Sequence, residues 1–129
     1  MHLHEIEDEL PTELRDGFQV AISTEVIEHL YRPGMLFERA TESGATRMLL
    51  STPYHGYVKN LAIAATNKFD HHWEAFRDGG HIKFFSVATL GVVAERHGWS
   101  IRDVQRVGRV RPLAKSMIVD LVRDSDRSA

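Results

Sequence analysis

Phe18-Gln19-Val20-Ala21-Ile22-Ser23-Thr24-Glu25-Val26-Ile27-Glu28-His29-Leu30 is the stretch on which the fold of this chain turns. Its first six residues form a short, mostly apolar run behind Gly17, rich in β-branched side chains, and read as a buried strand. Ser23 or Thr24 can cap the next element, and Glu25 to Leu30 reads as one helical turn or a tight bend. Pro33 suits the first turn of a helix running to about Glu42, with Met35, Leu36, Arg39 and Ala40 at helical spacing and Gly44 as the stop. Met48-Leu49-Leu50-Ser51 is a second apolar strand, closed by Thr52-Pro53. Strand, helix and strand at this spacing predict a parallel pair joined by a crossover helix.

Further along, Tyr57 to Ala65 reads as a helix with an apolar stripe at Leu61, Ala64 and Ala65. Asn67 to Gly80 mixes aromatic, charged and glycine residues and reads as an ordered loop or lid. Ser86 is a good N-cap for a helix carrying Leu90, Val93 and Ala94, with Gly98 at its stop. Ile101 to Val107 and Met117 to Val122 are the last strand candidates, and the short link between them, which includes Pro112, predicts an antiparallel hairpin. The class is α/β: a parallel strand pair with crossover helices, then a closing antiparallel β-hairpin. Residues 1–17 form an acidic, polar leader, and residues 18–129 the domain.

At 129 residues and 14.7 kDa the chain supports one core. Hydrophobic residues make up 43% and charged residues 26%, which argues against disorder. No apolar run approaches the roughly 18–20 residues that span a bilayer, so no membrane partner is expected. The N-terminus is acidic without an apolar core and does not read as a signal peptide. Cysteine is absent, which excludes disulfides, thiolate catalysis and Cys-ligated zinc, and a cytoplasmic location is the expectation. The net charge of −2 argues against nucleic acid as a partner. Charge is nonetheless uneven: residues 1–50 hold ten acids against four bases, and residues 51–129 eight acids against twelve bases. Much of the basic excess lies between Arg102 and Lys115; it reads as a solvated face, with contact to an anionic substrate as the alternative.

This order of elements, with these residues, resembles the second half of a class I S-adenosylmethionine-dependent methyltransferase of the type 11/12, ubiquinone-biosynthesis O-methyltransferase-like kind. The F-x-V-x-x-x-x-E-V-x-E-H run from Phe18 to His29 is similar to the family's fourth strand and the turn after it. Arg47 to Pro53 resembles the fifth strand, Gly80-His81-Ile82-Lys83-Phe84-Phe85-Ser86 the segment leading into the last helix, and Trp99 onward the closing strands. The resemblance covers residues 18–122 and implies a Rossmann-like methyltransferase fold, C-terminal half only. There are two departures. Gln19 stands where the family usually has Asp, and none of the nine glycines forms the G-x-G turn that, with an acid on the second strand, clamps the cofactor. The resemblance therefore implies S-adenosylmethionine as cofactor, with weak or absent binding by this chain alone, and leaves Ser23, Thr24 and Glu25 as its candidate contacts.

Glu25, Glu28 and His29 stand at i, i+3 and i+4, which on a helix places them on one face. Two carboxylates and an imidazole at a strand's C-terminal end suit a divalent ion; the bland alternative is solvated acids and a packing histidine. In relatives the resembling E-x-x-E-H motif holds Mg²⁺, and His81 matches a downstream histidine that can complete the set Glu25, Glu28, His29 and His81. His29 and His81 are also the candidate catalytic residues, since a base must remove an acceptor hydroxyl proton. Tyr54, His55 and Tyr57 come after the second strand and are either a substrate pocket or a simple turn. His71-His72-Trp73, next to Asp70, is a lid or a plain loop, and Phe84, Phe85 and Trp99 read as core.

Two functions are compatible with these residues. One is a methyltransferase, of the type that O-methylates a small-molecule acceptor, truncated or dependent on a missing N-terminal half. The other is a catalytically inactive half-domain serving as a binding or assembly module. The strand at 18–22 would be an apolar, charge-free edge, open to self-association or to a partner chain.

Overall fold

The computed structural model describes residues 6, 8–73 and 77–124. A four-stranded sheet runs through it in the order β1-β2-β4-β3, with β1 Val20–Thr24, β2 Arg47–Pro53, β3 Trp99–Val107 and β4 Ser116–Arg123. β1 and β2 are parallel, with Ile22 opposite Leu49, and helix α1, Gly34–Glu42, makes the crossover. β4 lies antiparallel to both β2 and β3, so the closing hairpin turns its second strand inward and its first strand outward. The parallel pair, the crossover and the antiparallel hairpin are those expected from sequence.

The remaining helices are α2, Tyr57–Ala65; α3, Phe69–Trp73; and α4, Val87–Glu95. Ser86 caps α4 through a capping box with Thr89, each side chain serving the other residue's backbone N–H. The stretch expected to be a loop or lid between Asn67 and Gly80 contains the short α3, and residues 74–76 of it lie outside the described residues. The ends of α2 agree with expectation, but its buried face does not. Lys59 and Ile63 are buried, while Leu61 is 57% exposed and Ala64 and Ala65 face outward. The helix presents this side to the 108–115 connection, a surface that local periodicity cannot anticipate.

The core lies on one face of the sheet. Met48, Leu50 and Thr52 of β2 and Met117, Val119 and Leu121 of β4 point there, against Leu36, Phe37 and Ala40 of α1 and Leu90 and Ala94 of α4. Trp99 and Phe37 are fully buried within it, and the Trp99 Nε1–H donates to Thr41 Oγ1 at 3.1 Å. Each such side chain contributes about 2–3 kcal/mol by leaving water. The strand at 18–23 is not the buried one expected from its apolar run: on the opposite face Val20 and Ile22 are 44% and 72% exposed, beside Ile118 and an ion cluster in which Arg47 and Arg102 both bind Asp120. Leu49 is half-buried there, in a shallow cavity that it lines with both arginines.

The leader is tied down where it is described. Residues 12–14 form a 3₁₀ turn, Asp16 N–H donates to the Glu42 carbonyl, Arg39 Nε–H donates to the Ile6 carbonyl, and Ile6 packs on the core. Among the described residues β1 has a strand neighbour on one side only, and Leu10 and Leu14 of the leader line a cavity with Phe18, Val20 and Ile22. His2 and His4 lie outside the described residues.

Candidate functional site

Open α/β sheets gather ligands at the carboxyl ends of their parallel strands, and it is there that the polar side chains of this chain converge. β1 ends at Thr24. Glu25 N–H extends the ladder by donating to the Ser51 carbonyl at 3.0 Å, and the chain then breaks off through a left-handed Glu25, φ 52°. A single 3₁₀ turn comes next at Ile27–His29, with Ile27 fully buried beneath it. From the far side, residues 80–86 cross the strand ends. The N–H groups of Ile82 and Lys83 both donate to the Glu28 carbonyl at 3.0 Å, Tyr54 bridges to Phe85, and His55 N–H donates to the Phe85 carbonyl at 3.0 Å.

This crossing brings His81 to the turn. Glu28, His29 and His81 each offer one ligand atom, and these atoms all lie within 4.8 Å of one another. The two imidazole rings are 4.9 Å apart, centre to centre. His29 Nδ1–H donates to the Gly80 carbonyl at 3.3 Å, which leaves Nε2 facing Glu28 Oε1 at 3.9 Å. Glu28 is only 1% exposed. Its Oε2 accepts from Thr52 Oγ1 at 3.0 Å, while its Oε1 is buried with no hydrogen-bond partner. Burial pushes the Glu28 carboxyl above its ordinary pKa, and the Glu25 charge adds to the rise; its own backbone N–H, Thr52 and His29 oppose it.

The expectation that Glu25, Glu28 and His29 share a helical face is corrected. Glu25 sits before the turn in a left-handed conformation, and its carboxylate accepts from Ser51 Oγ at 3.0 Å. It stands outside the three-residue group. Of the other candidates at the strand end, Ser23 is buried with its Oγ unpartnered and Thr24 is exposed. Tyr54 is buried, with the Arg106 guanidinium 4.6 Å above its ring. His55 is buried too, its Nδ1–H donating to Asn60 Oδ1, and burial lowers its pKa to about 4, so it is neutral near pH 7. Tyr57 is 82% exposed at the start of α2.

Phe85 and Trp99 are core as expected, but Phe84 is half-buried at the site, its ring 4.7 Å from His55 and 6.4 Å from His81. Thr52 was not singled out by the sequence. The available signal was alternation: Thr52 shares the inward face of β2 with Met48 and Leu50, and an inward polar residue needs a polar partner.

The arrangement is that of a methyltransferase domain, and comparison bears this out. Residues 1–104 match the family described as a methyltransferase domain, and the chain belongs to that family. No curated protein sequence matches the chain. Among solved structures it is similar to an S-adenosylmethionine-dependent methyltransferase from Mesorhizobium loti, at 17% identity and TM-score 0.65 over 93% of this chain and 67% of that one. It is also similar to a Haloferax volcanii methyltransferase in complex with the Trm112 methyltransferase activator, at 11% identity and TM-score 0.67 over 93% and 59%. A third is an O-methyltransferase of neocarzinostatin biosynthesis in complex with S-adenosylmethionine and 2-hydroxy-5-methyl naphthoic acid, at 17% identity and TM-score 0.58 over 95% and 32%. The chain thus spans between 32% and 67% of the length of these three. At such identities the likeness shows the fold. No helix among the described residues is long and apolar enough to cross a membrane.

Proposed function

We propose that this chain is the acceptor side of an S-adenosylmethionine-dependent methyltransferase that modifies a hydroxyl of a small molecule. In this reading Glu28, His29 and His81 hold a divalent cation that acidifies the hydroxyl. The observation that carries it is the convergence of these three side chains around a buried carboxylate oxygen that accepts no hydrogen bond among the described residues. A burial cost of this kind is sustained where a proton or a cation completes the site. The donor set fits a metal: Nε2 of His29 is held toward Glu28 by the bond from Nδ1 to Gly80. One carboxylate and two imidazoles suit Mn²⁺, Fe²⁺ or Zn²⁺ better than Mg²⁺, which prefers oxygen. A cation there supplies Lewis acidity that lowers the pKa of an acceptor hydroxyl. With both imidazoles holding the cation, the proton of the acidified hydroxyl would pass to water, and the aromatic wall of Phe84 and His55 would orient the acceptor.

The donor side does not fit this chain alone. Ser23, Thr24 and Glu25 stand at the end of β1, where the methyl donor's contacts would fall, but no glycine-rich turn or ribose-binding acid accompanies them. The reading therefore includes a clamp supplied by another segment or by a partner chain, delivered at the open edge of β1. The Haloferax volcanii relative, in complex with an activator protein, supports that dependence. A second reading, an inactive assembly module, is favoured by one observation: Val20 and Ile22 expose apolar surface on a strand with a strand neighbour on one side only among the described residues.

Calorimetric titration with MnCl₂ and, separately, with S-adenosylmethionine tests the proposal. The expected result is saturable Mn²⁺ binding that His29→Ala and His81→Ala each abolish, with donor binding weaker than micromolar. Mn²⁺ binding that neither variant changes would overturn the metal role, and micromolar donor binding would overturn the missing clamp.

A further inference from the structure

The basic residues between Arg102 and Lys115 do not stay on one solvated face. Arg102 turns to Asp120, but Arg109 and Lys115 swing round on the connection between β3 and β4 to meet α2. The connection is built to hold them there. Gly108 takes a φ of +95°, and a side chain on it would start 2.8 Å from Lys115 Cβ, so the close approach requires glycine. Lys115 N–H donates to the Val107 carbonyl at 2.9 Å, a 3₁₀ turn at Arg111–Leu113 lies beyond the bend, and that turn packs on α2.

Between this connection, α2 and the start of α3 lies a cavity of about 280 Å³. Lys59, Lys68, His72, Arg109 and Lys115 line it, and no carboxylate does so among the described residues. Lys59 is the telling member. It is 8% exposed, on the buried face of α2, where a lysine is rarely found unpaired. Among the described residues its ammonium donates to one group, the Lys115 carbonyl at 3.1 Å, which leaves donor capacity unused there. Burial lowers its pKa and the Arg109 charge lowers it further, so the cluster repels itself as it stands. The pKa of His72 is lowered as well, by burial first and then by Lys59 and Arg109. An anion reverses both costs. Ala62, Ile63 and Leu113 add an apolar wall, so the cavity also suits an organic body behind the charge.

We propose that this cavity binds the phosphate group of a small phosphomonoester, with Arg109 and Lys59 as its principal contacts. Four full positive charges from three separate elements match a dianion better than a carboxylate. The site is distinct from the Glu28–His29–His81 cluster, from which the row His72, His55 and Phe84 separates it, and it does not rest on the methyl-transfer reading.

The test is calorimetric titration of the full chain, free of divalent metal and near pH 7.5, where a phosphomonoester is mostly dianionic. Inorganic phosphate, phenyl phosphate and benzoate are the probes. Phenyl phosphate is expected to bind saturably and more tightly than inorganic phosphate, with benzoate at least about tenfold weaker. Arg109→Ala, an exposed position, weakens phenyl phosphate by about tenfold or more, as does Lys59→Met, which keeps the stem and removes the charge. Arg96→Ala, at the end of α4, leaves binding unchanged. Absence of saturable phosphate binding, or equal affinity in the Arg109 and Arg96 variants, overturns the site. Benzoate binding as tightly as phenyl phosphate overturns the assignment to a dianion. Should Lys59→Met fail to fold, the Arg109 variant decides alone.

Discussion

Replacing Glu28 by Gln should make the metal-free protein more stable, a direction unusual for a buried position. The carboxylate is 1% exposed, one of its oxygens has no partner, and burial raises its pKa above the ordinary 4.5. A carboxyl whose folded pKa is raised binds its proton more tightly in the folded than in the unfolded chain. Stability is therefore retained below pH 4.5 and lost as pH climbs through the window up to the folded pKa. The loss is about 1.4 kcal/mol for each unit of the rise. Gln keeps an acceptor for Thr52 Oγ1 and removes the charge; its amide N–H groups face His29 Nε2, which at 3.9 Å must draw closer for one of them to be paired. With chelator near pH 8, Glu28→Gln should exceed the parent by at least about 1 kcal/mol, and the two should converge near pH 4. Saturating Mn²⁺ should invert the order, since a cation at a hundred times its Kd adds about 2.7 kcal/mol to the parent and little to the variant. Urea unfolding followed by fluorescence reads this directly, because Trp99 is fully buried. A variant less stable than the parent near pH 8, by a margin that persists at pH 4, would refute the reasoning and make Glu28 a well-paired structural anion.

Three further outcomes are expected. Ser86→Ala removes half of the capping box of α4 and should cost about 1 kcal/mol in urea unfolding. Hydrogen bonds from Arg47 hold the Asp120 carboxyl below its ordinary pKa, with those from Arg102 adding, so its contribution is complete above pH 3.8 and lost as pH falls further. Asp120→Asn should thus cost about 1 kcal/mol at neutral pH, a modest figure because both arginines are partly exposed, and the difference should vanish in acid unfolding curves. Ile22→Lys places a charge on the open edge strand and should shift the light-scattering mass of the purified chain toward 14.7 kDa at concentrations where the parent self-associates; a concentration-independent monomer in the parent would remove the edge as an assembly surface.

Much of the fold was legible because its punctuation is local. Pro33, Gly44, Ser86 and Gly98 mark helix ends by their own backbone chemistry, and the apolar runs at β1 and β2 mark strands, although β1 turns Val20 and Ile22 outward instead of being buried. What failed depends on distant partners. Periodicity gave α2 an apolar stripe at Leu61, yet the helix is packed by a basic connection some fifty residues later, and so Lys59 went inside. Glu25 departs from helical spacing because its N–H continues the β1–β2 ladder for one more bond before the chain turns. His81 was brought to His29 by resemblance alone; no spacing rule reaches across that interval.

The strand order has a consequence for how the molecule is assembled in time. Of the four described strands β4 is made last, yet it lies between β2 and β3 and shares a ladder with each. Until it arrives, β2 has β1 alone as a neighbour, β3 has none, and Met48, Leu50 and Trp99 lack the side chains of Met117, Val119 and Leu121 that close over them. A growing chain can therefore form α1, α4 and the parallel pair, but the core waits for β4, and the interval before it is when the apolar strands are most open to capture by a chaperone or by one another.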